Sequence, residues 1–248
     1  MSASTLQKTG CLLVTTIMLL FSSLSQADIV LSSTRVIYKE KSKDVMVQLE
    51  NKGAKPLLVQ TWLDTGKDNI DPSKLQVPFS VTPPVFRMEP KRGQTLRVMF
   101  TGSSPLPKDK ESVFWLNVLE IPPKPSAEKL ATQNLLQFAF KTRIKLFYRP
   151  EGLLGSSAEA AKNLKWQLVT KDEHLQLKAN NSSAYHVSFS NIALMVNGKK
   201  YPVNQVMVAP GSDTTMAING LTTNVSGAKL EYSYINDFGG KDKIVVNL

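Results

Sequence analysis

The sequence predicts an all-β protein built as two β-sandwich domains in tandem. Three observations carry that expectation. Apolar and polar residues alternate in many short runs, the period-two signature of half-buried strands. Turn-rich stretches such as NKGAKP, LDTGKDNIDPSK, TGSSPLPKDKES and IPPKPS separate those runs, and short strands at such spacing suggest a sandwich. No long amphipathic helix, internal repeat or low-complexity tract interrupts the pattern.

The chain opens on a segment of a different kind. Lys8 gives a positive start, Cys11 to Leu20 form an apolar core, and Ser25 and Ala27 are small residues at the positions a signal peptidase requires. Residues 1–27 therefore predict a signal peptide cleaved before Asp28. The apolar run is short for a membrane span of about 20 residues, and no later segment is apolar enough to span a bilayer, so no stable membrane insertion is expected. Cys11 is the only cysteine of the 248 residues. A mature chain without thiols must be held together by its cores alone. The formal charge of +10 owes only Lys8 to this segment. A basic surface suits nucleic acid, anionic membrane or acidic partners, but an exported chain has no nucleic acid to meet. Solvation accounts for most of the lysines.

Residues 28–149 form the expected first domain. Val45, Val47 and Leu49 alternate with polar neighbours, as do Leu96, Val98 and Phe100. Leu58, Gln60 and Trp62 follow the same rhythm less cleanly. Phe114, Leu116 and Val118 share a face. The most informative run is Asn134 to Pro150, NLLQFAFKTRIKLFYRP, read as one long strand. Leu136, Phe138 and Phe140 fall on one face; Gln137, Lys141, Arg143 and Lys145 fall on the other. Large apolar groups on an edge strand are an aggregation hazard unless another chain pairs with them. An ordinary half-buried strand would give the same periodicity.

After Pro150 the pattern breaks. EGLLGSSAEAAKN reads as a linker with one helical turn. Residues 150–248 then form a smaller all-β domain, with runs at Leu164–Val169, Leu175–Ala179, Tyr185–Val196, Val206–Ala209, Thr214–Ile218, Lys229–Asn236 and Lys243–Leu248.

Catalytic patterns are missing. His174 and His186 are the only imidazoles, too few for an ordinary zinc site. No glycine-flanked serine forms a nucleophile elbow, and no phosphate-cradling loop is present. Asp109 and Glu111 share a loop with lysines, where solvated charges are expected. Asn180, Asn181 and Asn224 match the glycosylation sequon, a weak pattern. Residue usage thus supports neither an enzyme nor a metal or cofactor site.

Several stretches together resemble one family. They are SSTRVIY at 32–38, TPPV at 82–85, RMEP at 87–90, ESVFWLNVLEIPP at 111–123, LLQFAFKTRIKLFYRP at 135–150 and YINDFGG at 234–240. In this order they are similar to the PapD-like periplasmic chaperones of chaperone–usher pili. The resemblance implies two immunoglobulin-like domains at an angle with a cleft between them. It implies capture of pilus (fimbrial) subunits in the periplasm and delivery to an outer-membrane usher, with no catalysis, nucleotide or metal.

Each candidate residue takes its role from that resemblance. Leu136, Phe138 and Phe140 would enter the open groove of a subunit as part of a donor strand, the G strand. Arg35 and Lys145 match a pair of cleft cations that hold the subunit's C-terminal carboxylate. Glu111, Arg149 and Asp237 match an ion-paired trio linking the domains. Strict alternation sets Lys145 on the face opposite Leu136. Thr82-Pro83-Pro84 resembles a turn that can include a cis proline, and the short loop KPSAEKLATQ resembles the branch associated with rod-forming pili. Some relatives carry a disulfide in the second domain, and this chain has no cysteine there. Self-association through exposed strand edges is expected when no subunit is present. A structural or adhesive envelope protein is the alternative reading, and it requires no unoccupied apolar strand. A hydrolase is a distant third.

Overall fold

The computed structural model describes residues 28–66, 71, 74–126, 134–171, 174–221, 225 and 227–248. The expected signal peptide, Asn224 and most of the KPSAEKLATQ loop lie outside the described residues. Nine strands come first: β1 (Ile29–Leu31), β2 (Arg35–Lys39), β3 (Val45–Asn51), β4 (Leu57–Asp64), β5 (Phe79–Thr82), β6 (Val85–Met88), β7 (Gly93–Phe100), β8 (Ser112–Ile121) and β9 (Phe140–Arg149). One short helix, α1 (Ser157–Lys162), follows. The rest is β10 (Lys165–Lys171), β11 (His174–Asn181), β12 (Phe189–Val196), β13 (Lys199–Pro202), β14 (Ser212–Ala217), β15 (Lys229–Ile235) and β16 (Lys241–Asn247).

The strands build two sandwiches. In the first, a sheet of order β1-β3-β7-β5 faces one of order β2-β9-β8-β4-β6. β1 and β2 are consecutive yet lie in opposite sheets, so the chain crosses between them at Ser32–Thr34. The second sandwich packs β10-β11-β14 against β13-β12-β15-β16. Ladders are antiparallel except β2 with β9, which run parallel from Arg35↔Lys145 to Lys39↔Arg149.

Each sandwich buries its own core. The first includes Val47, Leu49, Leu96, Val98, Leu116, Val118 and Leu146. Its centre is aromatic: the Phe79 ring meets Tyr38 edge-on at 5.4 Å and Phe114 at 5.0 Å. The Tyr38 hydroxyl accepts from the Phe100 N–H at 3.0 Å and donates to the Ser42 carbonyl at 2.9 Å, so its burial leaves no polar atom stranded. The second core gathers Leu175, Leu177, Ile192, Leu194, Met216, Leu230 and Tyr232. α1 seals one end of it through Ala160 and Ala161, and the Tyr232 hydroxyl donates to the Ala161 carbonyl at 2.8 Å. Ser156 caps α1, accepting from the Glu159 N–H at 3.2 Å.

Three sequence expectations need correction. On β4 the buried residues are Leu57, Val59, Thr61 and Leu63, while Leu58 is 45% exposed. The rhythm Leu58–Gln60–Trp62 therefore marks the outer face, and two adjacent leucines hid the phase. The long strand expected over Asn134–Pro150 forms its ladder only from Phe140. Pairing with β8 runs from Tyr148↔Ser112 to Phe140↔Glu120, and beyond it Pro122 and Pro123 carry no N–H for a ladder. Val206–Ala209 is not a strand; Val208 makes a single bridge to Val187. The turn at Thr82–Pro83 holds a cis peptide bond. Asn181 is buried and donates its amide to the Tyr185 carbonyl at 2.7 Å, which removes it from the surface a glycan requires.

The phase of β4 is testable. Leu57→Ala should cost about 2–5 kcal/mol as a buried truncation. Leu58→Ala, one residue away, should stay within about 0.5 kcal/mol. Urea unfolding of both variants measures the difference, and equal losses would overturn the assignment.

Candidate functional site

β9 sends its side chains to two separate places. Ile144, Leu146 and Tyr148 turn into the first core. Phe140 continues their face, whereas Arg143, Lys145, Phe147 and Arg149 turn outward. β8 flanks β9 on one side from Phe140 onward, but β2 flanks it on the other only from Lys145. Ahead of Lys145, no described strand lies on that second side. The apolar groups there are open to solvent: Leu136 is 79% exposed, Phe138 60% and Phe140 46%. They line a groove of about 600 Å³ with Leu57, Glu120, Pro122 and Pro123. Gln137 fixes the approach to the strand by donating to the Pro122 and Pro123 carbonyls at 3.0 and 2.9 Å.

The outward face meets the second domain. The register of β2 with β9 sets Arg35 beside Lys145. Arg35 Nη1 donates to the Ile235 carbonyl at 2.8 Å, and Lys145 Nζ donates to Ser188 Oγ at 3.1 Å. The Arg35 guanidinium lies 5.6 Å from the Phe147 ring centre, and the Lys145 ammonium 5.3 Å from that of Trp115. Among the described residues no carboxylate forms an ion pair with either cation, and Arg35 Nε is buried without a hydrogen-bond partner. Burial pulls the Lys145 ammonium down to about 8, and the neighbouring Arg35 charge adds to the fall. Burial also lowers Arg35, against the upward pull of Asp237 and Glu111. This corner of the cleft holds more positive charge than it neutralises.

Arg143 stands differently. Its guanidinium donates to Asp64 at 2.9 Å and lies 4.9 Å from the Trp115 ring centre. Asn117 Nδ2 donates to the other Asp64 oxygen at 2.7 Å. Gly66, with φ +95°, makes room for Trp115: a Cβ there would stand 2.7 Å from the indole nitrogen. Asp64 thereby neutralises Arg143, and the Trp115 ring contacts both this compensated cation and the uncompensated Lys145.

Arg149 joins the two domains. Its Nε donates to Glu111 at 2.8 Å, and its Nη1 and Nη2 grip Asp237 at 2.7 and 3.0 Å. Burial alone would lower the guanidinium, but the two carboxylates more than offset it and keep the charge fixed. Burial would likewise raise the Asp237 carboxyl; the Arg149 hydrogen bonds and charge outweigh it and hold the group below its usual range. Glu111, which the sequence sets both among solvated loop charges and in the trio implied by the resemblance, is 4% exposed. The reason is that its N–H donates to the Ala184 carbonyl at 2.9 Å, which pins the loop to the second domain. Its carboxylate also accepts from the His186 N–H at 2.9 Å. Asp109 and His174 are exposed. Gly239 permits the same closeness on the far side, since a Cβ there would lie 2.6 Å from Thr34 Oγ1, next to Arg35.

The structure thus brings Arg35 and Lys145 together, and Glu111, Arg149 and Asp237 together, while Leu136, Phe138 and Phe140 gather in a separate groove. Sequence reasoning missed Ser188, His186 and the Ile235 carbonyl, which sit in ordinary strand runs. Trp115 carried a legible signal: it is a large aromatic on the outward side of Phe114, Leu116 and Val118.

Known proteins are similar to this chain in sequence and in fold. The pili and flagellar-assembly chaperone PapD N-terminal domain matches residues 28–154, and the pili assembly chaperone PapD C-terminal domain matches residues 159–245. The chain is 57% identical over 220 residues to the probable fimbrial chaperone YadV of Escherichia coli K12, covering 89% of each chain. It is 41% identical over 216 residues to the chaperone protein HifB of Haemophilus influenzae, covering 87% of this chain and 86% of the relative. The crystal structure of the YadV chaperone superposes with a TM-score of 0.78 at 50% identity, over 90% of this chain and all of that one, 100%. The SafB chaperone in complex with Salmonella enterica SafA pilin superposes with a TM-score of 0.73 at 27% identity, over 91% of this chain and 99% of that one.

Two predictions test the electrostatics. Arg149→Ala should destabilise by about 3–5 kcal/mol, because it strands the buried Glu111 charge. A loss under about 1 kcal/mol in urea, the norm for an exposed pair, would refute it. For Lys145 the folded state binds its proton less tightly than the unfolded chain, so the burial cost is fully present below about 8 and is relieved as pH rises toward the ordinary value of 10.5. Stability should therefore climb across that window, and Lys145→Met should abolish the climb.

Proposed function

Because the chain belongs to the PapD-like family of pilus-assembly chaperones, we propose that it captures fimbrial subunits in the periplasm by completing their unfinished sheet with β9 and the segment before it. The observation that carries this reading is the exposure of Leu136, Phe138 and Phe140 beside a strand edge that β2 does not reach. An extended donor offers main-chain hydrogen bonds along its edge and apolar groups on one face, which is how strand addition recognises its target. Residues 1–27 direct export and are removed before Asp28, and the loaded chaperone delivers its subunit to an outer-membrane usher. The action requires no catalysis.

Arg35 and Lys145 serve as the anchor for the subunit's C-terminal carboxylate. They are two adjacent, partly buried cations without an ion-pair partner among the described residues, and a carboxylate can accept from both at once. Their position on the outward face fits a ligand that enters from the cleft while the apolar groups engage a groove elsewhere along the same strand. The glutamate–arginine–aspartate clamp at Arg149 holds the angle between domains, so the anchor and the edge keep a fixed spacing.

Magnitudes separate the two roles. Three large apolar side chains would each contribute about 1.5–3 kcal/mol on burial in the subunit. Two charge-assisted contacts would each add about 1.5–3 kcal/mol before desolvation costs. The apolar groups supply most of the affinity. The anchor fixes register, since a slip of one residue turns every apolar group to the wrong face.

Co-expression with a fimbrial subunit, followed by co-purification from the periplasm, tests the proposal. Phe138→Asp and Lys145→Ala should each abolish capture, or weaken it at least about tenfold, the equivalent of about 1.4 kcal/mol. Lys145→Ala protein that captures subunits with unchanged affinity would refute the anchor. A bound carboxylate favours the protonated amine, so affinity should be full below about pH 8 and fall as pH rises further. Lys145→Arg should flatten that fall.

A further inference from the structure

Glu120 is a carboxylate at a core position. On β8 it follows Phe114, Leu116 and Val118 on the inward face, and it is 2% exposed. Its Oε2 accepts from the Ile29 N–H at 3.2 Å. Its Oε1 is buried with no hydrogen-bond partner. Burial raises this carboxyl; the Ile29 and Asp28 N–H groups pull it back, and the Asp28 carboxylate pushes it up again. Lys55 lines the same groove, yet no lysine or arginine among the described residues forms an ion pair with Glu120. A buried carboxylate with one unpaired oxygen is costly unless a cation or further donors reach it.

The start of the first sandwich lies against this carboxylate and is held there. The Asp28 carbonyl accepts from the Lys52 N–H at 2.7 Å, and β1 pairs with the end of β3 through Ile29↔Asn51. Gly53 packs so closely that a Cβ would lie 2.4 Å from Asp28 Cγ. Asp28 lines one groove with Glu120, and the next residue, Ile29, is bonded to that carboxylate, so the Asp28 backbone nitrogen is one residue from a direct contact with Glu120. Within an uncleaved chain that nitrogen is a neutral amide with one hydrogen. After cleavage before Asp28 it becomes an α-ammonium, with three donors and a positive charge at neutral pH.

We infer that the α-ammonium of Asp28, created by removal of the leader, pairs with Glu120 and closes the end of the first core beside the groove lined by Leu136, Phe138 and Phe140. Leader removal then supplies the one cation that this core lacks. Cleaved protein folds to full stability, whereas chain with residues still attached ahead of Asp28 keeps a stranded carboxylate under its apolar groove. The inference rests on the processing point proposed above, and it is independent of subunit capture.

The test begins with the intact mass of the exported protein. A start other than Asp28 overturns the processing point and this inference with it. Next, a Gly-Ser dipeptide is inserted between the cleavage point and Asp28, in the natural protein and in Glu120→Gln. The insertion should lower the folding equilibrium constant at least about tenfold with Glu120 present and less than about twofold with glutamine, as expected when one partner of a buried pair is lost. Equal losses in both backgrounds overturn the pairing. Should an extended protein fail to fold, acylation of the Asp28 α-amine in the unextended proteins gives a second reading. At neutral pH it should be at least about tenfold slower with Glu120 than with glutamine, because pairing with a carboxylate holds the amine protonated and so a poor nucleophile; equal rates overturn the inference. Subunit capture enters neither measurement, so failure of the chaperone reading and failure of this one remain distinct.

Discussion

β9 runs beside β8 from Phe140 to Tyr148 but beside β2 only from Lys145 to Arg149. That inequality of reach governs the molecule. Where both neighbours are present, Leu146 and Tyr148 are sealed in the first core. Where β2 has not begun, the same face of the chain carries Phe140, Phe138 and Leu136 into solvent. Soluble proteins usually shield such edges with charge, proline or a covering element. Here the exposed Lys141 supplies part of the shield on the opposite face, and the apolar face stays open. An exposed edge of this kind is stable only in a domain whose remaining core is well packed, and the aromatic cluster around Phe79 meets that need without a disulfide.

The cleft contrasts compensated with uncompensated charge. Arg143 is matched by Asp64, and Arg149 by Glu111 and Asp237. Arg35 and Lys145 receive a carbonyl, a hydroxyl and two aromatic faces in place of a carboxylate. Two cations kept side by side at the expense of desolvation and mutual repulsion reduce stability, and a fold under selection for stability alone would pair them. Their retention is coherent with an anionic ligand that arrives later. The depressed Lys145 ammonium records the cost of that burial and of the neighbouring Arg35 charge.

Glu120 poses the same problem at the opposite end of β9. It too is a buried ionisable group without an ion pair among the described residues, and it lines the apolar groove as Arg35 and Lys145 lie in the cleft. On the two proposals made above, the ends of the strand depend on charges brought from elsewhere: a chain terminus of this protein at one end and a chain terminus of the subunit at the other.

The sequence by itself determined the class of structure. Alternation in Val45–Leu49, Leu96–Phe100 and Phe114–Val118 is set by the two-residue period of a strand, a local property that needs no partner. The break after Pro150 and the single helical turn were legible for the same reason. Tertiary structure decided which face of β4 is inside, because Leu57 and Leu58 are both leucine and only the opposing sheet distinguishes them. It decided where β9 begins pairing, because that depends on Pro122 and Pro123 of a different strand end. It also decided that Glu111 is buried, that Ser188 meets Lys145, and that Ile235 meets Arg35 across a separation of 200 residues. Contacts of that range follow from how two domains pack, and periodicity within one strand carries no information about them.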